Sequence, residues 1–265
     1  MDQPTPDARL RYATAWAEVS ELIDLQLSPL GLNAIAALSP APGEVILDIG
    51  CGAGQTVVQL ADRVGPQGRV IGVDIAPLLL GIARERAAGL VQASLVEADA
   101  QSLALPDRSA DAIFSRFGVM AFADPAAAFA NFSRMLKPSG RLAFVCWRSL
   151  EENELDLLPL LAAGLEEMVD QTPFSFADAG TIAAALAPAG FDRITIEARD
   201  EMVSSGGLDD MAAVLLRVGA LGKILRDTPA LRAAAEPRLR DALAARASDG
   251  PVALNAATWI VTARA

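Results

Sequence analysis

The sequence predicts an α/β fold, a mostly parallel sheet covered by helices on both faces. Two observations carry this. Short apolar runs alternate with helical patterns from Val45 to Trp147, the rhythm of successive β-α-β units. A glycine series, Gly50, Gly52 and Gly54, follows the first apolar run and opens a helical pattern. In an open α/β sheet, that is where a ligand comes close to the backbone.

The elements follow in order. Residues 8–38 have helical periodicity, with Leu10, Trp16, Val19, Leu22, Ile23 and Leu27 on or near one face. Pro40 to Gly43 is a turn signal. Val45–Ile49 reads as a strand and Thr56–Val64 as a helix. After the turn Gly65 to Gly68, Val70–Val73 reads as a strand. Pro77–Ala88 is a helix with proline suited to its first turn. Ala93–Glu97 and Ala110–Ser115 are strands, Pro125–Leu136 is a helix stopped by Lys137-Pro138-Ser139-Gly140, and Arg141–Trp147 is a strand. Residues 151–180 look helical, interrupted at Pro173 to Phe176. Thr181–Ala187 is a short helix and Arg193–Ala198 a strand. An alanine-rich helical stretch spans 208–247, and "ATWIVTARA" is a final strand. The chain is thus expected to be one domain, with an N-terminal helical lid (1–42), a ligand-binding core (43–150), helical insertions (151–187 and 201–255) and final strands (188–200 and 256–265).

Composition narrows the function. The 265 residues are 52% hydrophobic, enough for a large core, and the net charge of −11 disfavours nucleic acid. There is no apolar run of membrane-spanning length, and the N-terminus lacks a basic segment followed by an apolar core. With only two cysteines, Cys51 and Cys146, a reducing, cytoplasmic setting is expected. Both read as buried strand-end residues two strands apart, too far for a disulfide. There is no histidine, which removes the commonest general base and metal ligand, and no metal site is expected.

The glycine series is not a dinucleotide fingerprint. Gln55 and Val57 stand where G-x-G-x-x-G needs its last glycine. No Gly-Lys-Ser/Thr follows, so a P-loop also fails. What remains is G-x-G-x-G preceded by Asp48. The second strand ends in Asp74, where an acid accepts from both hydroxyls of a ribose. Asp99, past the third strand, stands where a carboxylate accepts from an adenine amine. Together these fit an adenosine ligand with a free 2′-hydroxyl.

Four segments, "VILDIGCGAGQ", "GVDIA", "EADAQSLALPDRSADAIFSRFGVMAFADP" and "MLKPSGRLAFVCW", resemble class I S-adenosylmethionine-dependent methyltransferases. The likeness is greatest to the methyltransferase type 11, or ubiquinone-biosynthesis-methyltransferase-like, group. The resemblance is strong over residues 43–147. It implies a Rossmann-like seven-stranded sheet of order 3-2-1-4-5-7-6 with the last strand antiparallel, and S-adenosyl-L-methionine as cofactor with S-adenosyl-L-homocysteine as product. Residue by residue, it implies that Gly50, Gly52 and Gly54 wrap the methionine part, that Asp48 helps order that loop, and that Asp74 holds the ribose. Ile75 would lie on the adenine, Asp99 and Ala100 at the adenine amine, and Ser115 and Phe117 at the methionine end. Ser139 departs from the family's Pro-Gly-Gly turn.

In-line transfer to a small molecule is the expected reaction, with alignment as the protein's main contribution. No Asn/Asp-Pro-Pro-aromatic motif follows the fourth strand, which argues against DNA and glutamine acceptors. No base can be named. Tyr12 and Trp16, four apart on the leading helix, together with Met120, Trp147 and Phe174, are the candidate acceptor-binding residues. Arg116 reads as solvent-facing or paired with an acid rather than as a substrate contact. The insertion at 201–255 is expected to shape acceptor access or to support a homodimer. Two other classes stand beside this one: a nicotinamide-dependent reductase, and a non-catalytic protein that keeps the cofactor site.

Overall fold

The computed structural model describes residues 5–247 and 250–265. Residues 1–4 of the expected lid and 248–249 of the expected insertion lie outside them. The chain begins with two helices, α1 (Pro6–Glu18) and α2 (Ser20–Leu38). Then follow β1 (Val45–Ile49), α3 (Gln55–Val64), β2 (Arg69–Asp74), α4 (Pro77–Arg86), β3 (Ala93–Glu97), β4 (Ala110–Arg116), α5 (Pro125–Met135) and β5 (Leu136–Trp147). The second half holds α6 (Glu154–Ala163), α7 (Ala179–Leu186), β6 (Asp192–Val203), α8 (Leu208–Leu215), α9 (Gly219–Asp227), α10 (Arg232–Arg246) and β7 (Leu254–Arg264).

The seven strands form one sheet of order β3-β2-β1-β4-β5-β7-β6. The first five pair in parallel, and β7 runs antiparallel between β5 and β6. This is the expected Rossmann-like order. From Leu142 to Trp147 every residue of β5 is buried, so both faces of the sheet are covered there. On one side Phe129 of α5 stacks on Phe144 with ring centroids 5.9 Å apart. The edge strand β6 is different: its side chains are largely exposed and charged, which discourages edge-to-edge pairing.

The expected helical stretch 208–247 is three helices, α8 to α10, and β7 starts at Leu254; four further differences from the sequence reading have local reasons. The leading helix is two helices, because Val19 leaves helical geometry at φ −123°, ψ 20°. α1 packs against α4. Leu30, Ala34 and Ile35 of α2 are essentially inaccessible, so α2 is a core helix against the sheet. β5 starts five residues early, at Leu136, through an irregularity that skips from the Ala110–Leu136 pair to Ala112–Arg141. Within it, Ser139 takes the left-handed conformation, φ 67°. β6 runs on to Val203, since on an exposed edge no inward-facing alternation marks its end. The expected helical stretch 151–180 is regular only in α6, which ends at Gly164 with φ 68°, a left-handed helix stop.

Candidate cofactor and acceptor site

The glycine series forms the loop between β1 and α3. Its members have separate causes. A Cβ on Gly50 would meet Gly118 Cα at 2.8 Å, and one on Gly54 would meet Ala83 Cβ at 2.7 Å, so these two are glycines because other chain segments pass close by. Gly52 is left-handed, φ 53°, and a Cβ there would meet nothing within 4 Å. It faces open space, and its amide donates to Asp74 Oδ2 at 2.9 Å.

Asp48 is fully buried beneath this loop. Its Oδ2 accepts from Thr56 Oγ1 at 2.5 Å, tying β1 to the first turn of α3, while Oδ1 has no partner. Burial pushes its pKa up to about 7, with the Thr56 hydrogen bond and nearby Arg116 opposing. Asp74, at the end of β2, also accepts from the Ala76 amide at 2.8 Å. Burial raises its pKa, and the backbone donors pull it back. One amide on each oxygen leaves further lone pairs for a diol. Beside it Ile75 is 54% exposed and Leu78 42%, an apolar shelf of the kind a flat ring covers.

Asp99 caps a short 3-10 turn at Ala100–Ser102 by accepting from the Gln101 amide at 2.9 Å. The Gln101 side-chain amide also reaches Asp99 Oδ2 at 3.2 Å, and its oxygen accepts from the Asp124 amide. Asp99 therefore has a turn role as well as its place at the strand end. Ala100 is buried. Ser115 is buried too: its hydroxyl donates to the Ile49 carbonyl at 2.7 Å and accepts from the Gly118 amide at 3.2 Å. Its side chain thus binds the β4 end to the β1 end, and only its backbone is left to line a cleft. Phe117 is left-handed, φ 60°, a strained state for an aromatic residue. Its ring stacks on Trp147 with centroids 4.0 Å apart.

Of the acceptor candidates, Met120, Trp147 and Phe174 are buried and neighbours. Met120 Sδ lies 3.5 Å from the Trp147 amide, and its carbonyl accepts from Ser175 Oγ, next to Phe174. Tyr12 and Trp16 pair on α1 with centroids 5.6 Å apart. Tyr12 is 46% exposed. Burial and the charge of Asp74 both raise its phenol pKa.

The residues that sequence reasoning missed are polar links between distant elements. Asp24 on α2 pairs with Arg86 and, at 3.3 Å, with Arg116. Arg86 also donates to the Ala53 carbonyl in the glycine loop, and Arg116 to Gln55 at the start of α3. Arg116 is thus paired with an acid, as expected. Cys51 and Cys146 are free and buried. Among the described residues no cluster of metal ligands occurs and no helix is long and apolar enough to cross a membrane. Two surface depressions, one beside Leu38 and Arg264 and one beside Asp170 and Lys223, contain none of the motif residues.

Residues 46–140 match the methyltransferase domain family. Over 119 residues the chain is 38% identical to aklanonic acid methyltransferase DauC of Streptomyces sp. (strain C5), covering 44% of this chain and 54% of that one. Over 116 residues it is 36% identical to nocamycin O-methyltransferase of Saccharothrix syringae, covering 43% and 41%. The chain thus spans about half the length of the curated relatives it matches. In fold it is similar to a SAM-dependent methyltransferase from Aquifex aeolicus, with a TM-score of 0.52 and 22% identity over 68% of this chain and 86% of that one. The domain match therefore lies in residues 46–140, and the sheet has the order seen in S-adenosylmethionine-dependent methyltransferase folds.

The residues present fit that cofactor. The open space before Gly52, the spare acceptor capacity of Asp74 and the bare apolar shelf at Ile75 are what a methionine chain, a ribose diol and an adenine ring require.

Proposed function

We propose that the chain transfers a methyl group from S-adenosylmethionine to a small-molecule acceptor. The observation that carries this is the join of Gly52 to Asp74, which sets an open backbone cradle and a diol-accepting carboxylate side by side at adjacent strand ends. Gly52 and Gly54 would hold the methionine part, Asp74 the ribose, and Ile75 and Asp99 the adenine. When bound, the cofactor supplies an activated methyl on a good leaving group. The chain's own task is then alignment and exclusion of water. Tyr12 and Trp16 on α1 cover the cleft, and Phe117, held against Trp147, forms the wall at the β4 and β5 ends. The small-molecule acceptors in the names of the two relatives support the substrate class.

Titration calorimetry with S-adenosylmethionine and with S-adenosylhomocysteine tests the cofactor, with micromolar binding of about −8 kcal/mol expected. A labelled-methyl screen against small-molecule extracts tests the transfer. Tight cofactor binding with no label transferred would favour the non-catalytic alternative, and binding of NADH instead would favour the reductase.

A further inference from the structure

The α8–α9 segment carries a cation that no acid answers. Arg226, in the last turn of α9, places its guanidinium 5.7 Å from the centroid of the Tyr12 ring. Its Nη1 donates to the Arg217 carbonyl, and among the described residues no carboxylate lies within ion-pair distance of it. The neighbouring acids are occupied: Asp227 by Lys223 at 2.7 Å, and Glu18 by Arg217 at 3.0 Å. Burial lowers the Arg226 pKa, Tyr12 and Asp227 oppose this, and Arg11 adds to it. A guanidinium has five donors, and a partly desolvated one with a single carbonyl partner is costly unless something else uses the rest. The chain carries a net charge of −11, so a local cation beside Tyr12 opposes the field that would repel an anion.

A second observation concerns proton acceptors. The chain has no histidine. The acids around the loop are engaged or sealed off: Asp24 by two arginines, Asp74 by two backbone amides and Asp99 by Gln101, while Asp48, bound to Thr56 through one oxygen, is fully buried and out of an acceptor's reach. Asp156 of α6 is buried and accepts from the Ala220 amide at the start of α9. The Cys51 thiol is held protonated by burial, and the Tyr12 phenol has its pKa raised further, with the charge of Asp74 contributing. None of these is poised to take a proton from an acceptor.

Resting on the methyl-transfer reading, we propose that the acceptor is an oxygen anion already ionised at neutral pH, a carboxylate, a stabilised enolate or the phenolate of an electron-poor, acidic phenol, and that Arg226 selects it. The step then balances without a base. The acceptor's oxyanion forms the new C–O bond, the C–S bond breaks, and its electron pair stays on sulfur. A neutral ester or ether and a neutral thioether leave, and no proton moves.

The test uses the whole chain saturated with S-adenosylhomocysteine, so nothing turns over. Binding of 2-naphthoate and of its neutral isostere 2-naphthamide is measured by calorimetry. The wild type should prefer the acid at least tenfold. Arg226→Gln should bring the preference below threefold, and Arg226→Lys should keep part of it. Circular dichroism confirms that both variants fold. Failure of S-adenosylhomocysteine to bind overturns the methyl-transfer reading and this proposal with it. Cofactor binding with equal affinity for acid and amide overturns this proposal alone. So does an Arg226→Gln protein that keeps the preference but loses S-adenosylhomocysteine affinity, which would make Arg226 only a brace for Tyr12.

Discussion

Gly52 and Asp74 are joined by a 2.9 Å hydrogen bond from amide to Oδ2. The acid at the end of β2 therefore holds the glycine loop in place while facing the cleft. Its Oδ1 does the same for the turn into α4 through the Ala76 amide. A single carboxylate thus ties the glycine loop to the turn into α4.

Replacing Asp74 by Ala should weaken cofactor binding by about 1.5–3 kcal/mol, the range for hydrogen bonds to a charged group. The Gly52 amide loses its partner in the same change. Calorimetry of the variant checks this, and a loss under about twofold would mean that the ribose is held elsewhere.

Asp48 should give the protein a pH-dependent stability. Its folded pKa, about 7, lies above the unfolded carboxylate value near 3.9. Between those values the folded state binds a proton that the unfolded state does not. Stability then falls as pH rises across the window and levels off above about 7. Each pKa unit corresponds to about 1.4 kcal/mol. Urea denaturation of the wild type and of Asp48→Asn at a series of pH values reads the difference. The variant should lack this downward component between pH 5 and 7, and parallel curves would show that Asp48 is ionised throughout.

The sheet and its glycine loop were legible because their signals are local. Val45 to Ile49 is an unbroken apolar run with one acid, and the strand-end acids Asp74 and Asp99 sit at fixed offsets from it. Other features were not legible because their causes are distant in sequence. Nothing near Asp24 marks it as the partner of Arg86 and Arg116, 62 and 92 residues away. Nothing in "AFANFSRMLKPSG" shows that Ser139 takes a left-handed conformation inside an early-starting β5. The break at Val19 is equally silent, since the apolar periodicity runs through it while α1 and α2 pack against different partners.

Ser139 offers a stabilising change. At φ 67° a side chain costs about 1–2 kcal/mol relative to the right-handed conformation, and glycine removes that strain. Glycine also loosens the unfolded chain by roughly 0.4–1 kcal/mol. Ser139→Gly should therefore raise unfolding stability by about 0.5–1 kcal/mol and leave cofactor affinity unchanged, since the turn lies at the opposite end of β5 from Trp147. Chemical denaturation measures the first and calorimetry the second. A destabilised variant would show that the Ser139 side chain makes up for its strained backbone.

The insertion was expected to shape acceptor access or to support a homodimer. The structure connects it to the lid. Arg217, just past α8, pairs with Glu18 at the end of α1 at 3.0 Å, and Arg226 lies over Tyr12 on the same helix. α1 in turn packs against α4, the helix that follows Asp74. Displacing α1 from the α8–α9 segment breaks the Arg217–Glu18 pair. The pair is partly exposed, so its strength falls in the range of about 0–1 kcal/mol. Arg217→Gln should therefore speed cofactor release by up to about fivefold, with its entry changed less. Glu18→Gln should do the same, and the double variant should add little to either. Stopped-flow displacement of the cofactor reads these rates, and raising salt should shrink the effect in the wild type as it screens the pair. Release rates that are unchanged in both single variants, or that multiply in the double, would show that the Arg217–Glu18 pair does not couple the insertion to cofactor release.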